Sequence, residues 1–230
     1  MTNIADNINR VRDNIAEAAI RSGRNPGDIT LVAASKTKPA DMVVQAIAGG
    51  VDAVGENRVQ EMLEKHALDA YSGAPLHFIG HIQSNKIKQI VGICDLIESV
   101  SSPTLIESIG KRAVSLGISQ NVLLEVNIGR EEQKSGVLPE QVGDVLHLAS
   151  GIEGIKVLGL MAVPPIFREN DRNCNYFDAM CHLFIDMSKK KYDNISMRFL
   201  SMGMSDSYTD AILSGSNMVR LGTAIFGDRA

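Results

Sequence analysis

The sequence predicts an α/β chain folded as a (β/α)8 barrel (a TIM barrel) with an extra helix at its N-terminus. Three observations predict it. Short β-branched runs alternate with longer helix-period runs about eight times in 230 residues, near the ~250 residues typical of such barrels. The runs read as strands are apolar almost without interruption, as strands covered on both faces are. No linker, low-complexity tract or tandem repeat divides the chain, so residues 1–230 read as one domain. The main rival, a doubly wound open sheet, usually has a Gly-rich turn after its first strand, and here that turn is SKTKP.

The elements follow in order. Residues 2–22 form an amphipathic helix with Ile4, Ile8, Val11, Ile15 and Ala19 on one face. Ile29–Ala34 is the first strand, and Ala40–Ala48 a helix stopped by Gly49 and Gly50. Val51–Gly55 is the second strand, followed by a helix over 57–70 whose stripe is Val59, Met62, Leu63 and His66. Leu76–Gly80 and Leu96–Val100 are the third and fourth strands, with a short helix over 84–91 between them. Ser102 caps the next helix, Pro103 takes its first position, and the helix runs to Gly117. Val122–Ile128 is strand five, with a helix over 139–150 after it. Ile155–Ala162 is strand six and 175–190 a helix. Arg198–Ser201 is strand seven, 205–213 a short helix, and Met218–Leu221 strand eight. The chain ends soon after, so the N-terminal helix is expected to fill the place of the last outer helix. The polar stretch 164–175 reads as a surface loop or a lid.

Composition excludes several classes. Lys+Arg is 23 against 27 Asp+Glu, a net charge of −4, which argues against a dedicated nucleic-acid or anionic-membrane binder. Trp is absent and aromatics are 4%, so a base-stacking platform is not expected. Cys94, Cys174 and Cys181 are odd in number and have no CxxC spacing, which points to a reducing compartment rather than to disulfides or zinc. The N-terminus lacks the apolar core of a signal peptide, and no apolar run approaches a membrane span. The expectation is a cytoplasmic protein without a metal.

Barrel chemistry gathers at the C-terminal ends of the strands. Strand one ends at Ser35-Lys36. A lysine in a barrel mouth pays for its charge in desolvation, and as a neutral amine it attacks carbonyls. Its plainer role is a paired or rim lysine. Lys38 reads as exposed. Ser201, Gly203 and Ser205 after strand seven, with Gly222 and Thr223 after strand eight, supply glycines, hydroxyls and helix-start N–H groups where this fold binds phosphate. Two ordinary tight turns are the alternative. Asn57, His81 and Met161 end three other strands, and each alone is weak evidence. Glu125 reads as an interior charge that needs a basic partner. A lysine and a phosphate cradle on one cavity fit a phosphorylated carbonyl. Pyridoxal 5′-phosphate has that form, as do the substrates of lysine-dependent aldolases.

Six segments carry a resemblance: Ala33-Ala-Ser-Lys36-Thr-Lys-Pro39, Gly55-Glu-Asn-Arg-Val-Gln60, the run from His77 to Lys86, Gly159-Leu-Met161, Ser201-Met-Gly-Met-Ser-Asp206 and the run from Val219 to Gly227. In order and over nearly the whole chain, they resemble the pyridoxal phosphate homeostasis proteins, a family similar to the barrel domain of alanine racemase. The resemblance implies pyridoxal phosphate held as a Schiff base on Lys36. It implies a phosphate cradle from Ser201, Gly203, Gly222 and Thr223, Arg220 against the pyridine nitrogen, and Asn57 and Met161 along the ring. Arginine does not give up its proton, so a ring nitrogen facing it makes a weaker electron sink. Lys134, in Gln133-Lys-Ser-Gly136, matches a further family motif.

Two classes of function remain. One is a non-catalytic carrier that buffers pyridoxal phosphate and delivers it to apo-enzymes, expected as a monomer. The other is an enzyme, either an amino-acid racemase or a lysine Schiff-base enzyme of another kind. A racemase is readily served by a second acid–base group opposite the lysine. Of Tyr71, Tyr176, Tyr192 and Tyr208, only Tyr208 falls near the phosphate loop. The carrier is the preferred reading.

Overall fold

The structure, a computed structural model, describes residues 3–165 and 174–227. Eight parallel strands close into a barrel in which each pairs with its sequence neighbours and the last pairs with the first. They are β1 (Thr30–Ala34), β2 (Ala53–Glu56), β3 (Leu76–Phe78), β4 (Leu96–Val100), β5 (Gln120–Val126), β6 (Ile155–Ala162), β7 (Ile195–Ser201) and β8 (Met218–Leu221). Around them lie α1 (Ile4–Arg21), α2 (Ala40–Ala48), α3 (Val59–Ala67), α4 (Ile87–Ile90), α5 (Pro103–Ser115), α6 (Val142–Ser150), α7 (Cys174–Ser188) and α8 (Tyr208–Leu213). A final turn, α9 (Thr223–Phe226), leaves β8.

Polar side chains cap two of the helices, the second as the sequence signals. The Asn3 side chain accepts the Ala5 N–H at 3.0 Å and starts α1. Ser102 Oγ accepts the Leu105 N–H at 3.3 Å, with Pro103 at the first position of α5. α1 packs on α2, α8 and α9, and Asn7 Nδ2 donates to the Ile225 carbonyl at 2.9 Å, so this helix does close the outer ring.

Some boundaries move. β7 starts at Ile195, three residues earlier than its apolar run suggests, and the 205–213 segment becomes helical only at Tyr208. The segment 84–91 splits into a 3-10 turn, Ser84–Lys86, and the short α4. In α3 the expected stripe is one residue off. Met62 and Lys65 are buried while His66 is exposed. A buried carboxylate on β2, Glu56, makes the burial of Lys65 possible.

Side chains alternate in and out along each strand. Val32, Ala53, Leu96, Leu123, Met161 and Met218 form one cluster in the barrel interior, with Leu158 and Phe199 against it. Stepping by two toward the strand ends on the same parity leads to Glu98, Glu125, Ser201 and Arg220. Stepping by four leads from Val32 to Lys36 and from Ala53 to Asn57. The lower barrel is thus apolar, and the C-terminal mouth carries the charge. Among the described residues no helix is long and apolar enough to cross a membrane.

Candidate functional site

A cavity of about 330 Å³ opens at the C-terminal mouth, with Lys36, Asn57, Ser205, Arg220, Gly222 and Thr223 on its wall. Its volume lies at the lower end of the range for small-molecule sites.

Lys36 stands on a tight turn. Ser35 N–H continues the β1–β2 ladder to the Gly55 carbonyl at 3.0 Å, and Lys38 N–H closes the turn on the Ser35 carbonyl at 3.0 Å. Thr37 sits between them at φ 64°, left-handed backbone that costs a β-branched residue energy. Its N–H donates to Glu61 Oε2 at 2.8 Å, which helps hold that conformation. Lys38 was expected to be exposed. It is half-buried on the cavity wall, with Nζ 3.4 Å from the Gly227 carbonyl.

Arg220 is buried at the cavity floor within a polar chain. Its Nη2 donates to the Ala162 carbonyl at 2.9 Å and its Nη1 to Ser201 Oγ at 2.5 Å. Ser201 in turn donates to Glu98 Oε2 at 2.6 Å, and Glu98 Oε1 shares a hydrogen bond with His77 Nδ1 at 2.7 Å. Arg220 lies 3.7 Å from Glu98 Oε2. Burial alone would raise the Glu98 carboxyl, but His77, the Arg220 charge and the Ser201 hydroxyl outweigh it and hold the group below the usual carboxylate range. Burial likewise draws the Arg220 guanidinium down, and Glu98 and Glu125 offset part of that. Glu125 is pushed up to about 7 by burial, against the pull of Arg220, which is the basic partner its position called for.

The phosphate-type turns divide. Ser205 Oγ accepts the N–H groups of Gly222 at 3.3 Å and Ala224 at 3.2 Å, so Ser205, Gly222 and Thr223 meet at the start of α9 beside the cavity. Gly203 does other work. Its φ is +99°, a Cβ there would come within 2.7 Å of Ala211 Cβ, and its carbonyl accepts the Arg220 N–H at 3.1 Å. It seats the turn on α8, and the cavity wall does not include it. Ser201 is committed to Arg220 and Glu98, and Met161 lies in the interior cluster; neither lines the cavity.

Asn57 Oδ1 is buried on this wall and, among the described residues, accepts no hydrogen bond. An unpaired buried acceptor calls for a donor. His81 is exposed, with Nδ1 3.0 Å from Ser135 Oγ, away from the cavity. Lys134 pairs with Glu131 at 2.5 Å and reaches the Pro164 carbonyl at 3.4 Å. Tyr208 accepts a hydrogen bond from Asn14 of α1 at 2.8 Å, so its hydroxyl is engaged in the helical layer. Most of the polar stretch read as a surface loop or a lid, residues 166–173, lies outside the described residues.

Sequence reasoning missed Glu98, Glu56 and Lys65. An isolated Glu between apolar neighbours in LIESV, on the parity of Leu96, was the available signal for the first. Among the described residues no group of three or more His, Cys, Asp or Glu could hold a metal.

A primary amine, an unpaired amide oxygen, a buried guanidinium and a turn carrying the Ser205 and Thr223 hydroxyls are groups of the right kind for the carbonyl, hydroxyl, ring nitrogen and phosphate of pyridoxal phosphate. The alanine racemase N-terminal domain family matches residues 5–230. The pyridoxal phosphate homeostasis protein of Aquifex aeolicus is 38% identical over 227 residues, covering 99% of each chain. A crystal structure described as an unknown protein from Bifidobacterium adolescentis superposes with a TM-score of 0.89 at 36% identity, over 97% of this chain and 94% of that one. PipY of Synechococcus elongatus, solved with pyridoxal phosphate bound, superposes with a TM-score of 0.79 at 30% identity, over 93% of this chain and 100% of that one.

Proposed function

We propose, on the premise that this chain belongs to the alanine racemase N-terminal domain family and within it to the pyridoxal phosphate homeostasis proteins, that it binds pyridoxal 5′-phosphate on Lys36 and serves the intracellular homeostasis of that cofactor without turnover of its own. The observation that carries the reading is the meeting of Lys36, Asn57, Arg220 and the Gly222–Thr223 turn on one cavity.

Pyridoxal phosphate, when bound, brings an aldehyde that condenses with a lysine amine. Lys36 provides that amine from a turn held at several backbone atoms. Thr223 and Ser205 offer N–H and hydroxyl donors to a phosphate, and Gly222, whose own N–H goes to Ser205 Oγ, keeps the turn open beside them. Asn57 offers its free amide oxygen to a donor on the ring. Arg220 offers guanidinium donors to a ring nitrogen and cannot yield a proton there. Ser201 acts on the site through Arg220, while Gly203 shapes the turn and Met161 packs beneath it.

The carrier reading is supported by Tyr208. The one tyrosine near the phosphate turn in sequence spends its hydroxyl on Asn14, which leaves no second acid–base tyrosine facing Lys36 among the described residues. The same reading takes residues 1–230 as a single binding domain, monomeric and cytoplasmic, that hands its cofactor to apo-enzymes. The free thiols Cys94 and Cys181 suit a reducing compartment.

The test is borohydride reduction of the pyridoxal-phosphate-loaded protein, then peptide mass mapping. A yellow protein labelled on Lys36 is expected, with label lost in Lys36→Ala and retention weakened in Arg220→Ala. A colourless protein that takes up no cofactor refutes the reading. Deuterium exchange at Cα of L- or D-alanine with turnover refutes the carrier role.

A further inference from the structure

Behind the Lys36 turn lies a second buried charge cluster that the binding role leaves unused. Glu56, at the end of β2, has no exposed surface, and its Oε1 accepts from Lys65 Nζ at 2.6 Å, from Ser35 Oγ at 2.5 Å and from the Tyr71 hydroxyl at 3.1 Å. Glu56 Oε2 has no partner among the described residues. Lys65 Nζ donates a second time, to the Ser35 carbonyl, at 2.9 Å.

Ser35 is therefore gripped at every polar atom. Its N–H goes to Gly55, its hydroxyl to Glu56, and its carbonyl takes both Lys65 and Lys38 N–H. That carbonyl is the acceptor that closes the turn carrying Lys36. A buried lysine ammonium aimed at a turn carbonyl is costly to desolvate, and a half-paired carboxylate beside it is costly too. Packing alone would favour apolar residues in both places. What the pair does locally is fix the direction in which the chain leaves β1.

That direction matters because two lysines line the cavity. Lys36 and Lys38 both stand on its wall. Either amine is chemically able to take a carbonyl, so geometry has to choose. We infer that the Glu56–Lys65 pair, acting through Ser35, is a positioning device that selects Lys36 over Lys38 as the lysine bearing the carbonyl ligand. Glu56, Lys65 and Ser35 are positioning residues, since none of them lines the cavity mouth. Tyr71 steadies the carboxylate from the far side. The inference rests on the pyridoxal phosphate reading and adds the reason for the choice of lysine.

The experiment uses pyridoxal 5′-phosphate as the probe and the full chain as the protein. The amine adds to the aldehyde carbon and one water leaves. Borohydride then delivers hydride to that carbon while water protonates the nitrogen, leaving a stable secondary amine. Fragmentation mass spectrometry gives the ratio of label on Lys36 to label on Lys38. Two variants are compared with the native chain. Glu56→Gln/Lys65→Met removes both charges together, so neither is left orphaned. Ser35→Ala removes a single oxygen and keeps the test open if the double variant does not fold.

The native chain is expected to carry its label on Lys36. In the variants the share on Lys38 rises about tenfold, the effect of losing one charge-assisted hydrogen bond that orders the turn. A merely structural role lowers the melting temperature and leaves the ratio alone. Label on Lys36 at the native ratio in the folded variants overturns this inference and leaves the binding reading intact. Label on Lys38 in the native chain overturns the Lys36 assignment, and the inference falls with it.

Discussion

Glu98→Ala tests whether the floor of the site is held by charge. Glu98 is fully buried and Arg220 is 5% exposed, so neither has water to fall back on. Removing the carboxylate takes away the counter-charge 3.7 Å from the guanidinium, the acceptor for Ser201 at 2.6 Å and the partner of His77 at 2.7 Å. Breaking a buried pair from one side costs about 3–5 kcal/mol because the other charge stays buried alone. For a chain of this length that lowers the melting temperature by roughly 6–20 °C. Glu125 then decides the pH dependence. Burial holds its carboxyl up to about 7, so at pH 8 it is ionised and still opposes Arg220. At pH 5 it is protonated and Arg220 has neither carboxylate. The loss on Glu98→Ala is therefore larger at pH 5 than at pH 8. Adding Arg220→Met removes the orphaned charge and recovers part of the stability. Thermal melts by circular dichroism at the two pH values measure all of this. A Glu98→Ala melt within about 2 °C of the native chain, a change worth under about 1 kcal/mol, refutes the reasoning. So does a double variant less stable than Glu98→Ala alone.

Two further outcomes follow from the same geometry. Between about 4.5, its ordinary value, and about 7, folded Glu125 keeps a proton that the unfolded chain has released. Stability therefore falls as pH rises through that window, and Glu125→Gln should gain up to about 3 kcal/mol on the native chain between pH 5 and pH 8. Urea midpoints at the two pH values check it, and an equal gain at both would remove Glu125 from the barrel interior. Tyr208→Phe loses the Asn14 hydrogen bond and about 1 kcal/mol of stability, with cofactor retention unchanged. Loss of retention in that variant would return Tyr208 to the site.

The alternation of apolar runs carried the strand order, the rule that barrel chemistry gathers at the C-terminal strand ends put Lys36 and Asn57 at one mouth, and the family resemblance added Arg220. None of these names partners. Glu98 meets Ser201 across 103 residues of sequence, and that meeting exists only once β4 and β7 share a closed interior. Ser201 thus read as a phosphate donor when its hydroxyl is bound to Glu98 and Arg220. Gly203 was legible as a residue needing glycine, and the reason the fold gives is a left-handed turn against α8. Lys65 was hidden for a similar cause. A lysine beside an apolar helix stripe reads as a solvated edge until Glu56 is known to face it.

Two chemistry-bearing residues of the mouth, Lys36 and Arg220, have a buried charge at their back. The Lys36 turn rests on Glu56 and Lys65, and Arg220 rests on Glu98 and His77. Buried pairs of this kind contribute little net stability, since desolvation consumes most of the attraction. The lower barrel shows that this sequence fills an interior with Val, Leu and Met where nothing else is required. The charges begin where the cavity begins. Their placement is therefore better explained by what they immobilise than by what they stabilise, and a site whose guanidinium and lysine-bearing turn are both fixed loses little ordering entropy when a ligand binds.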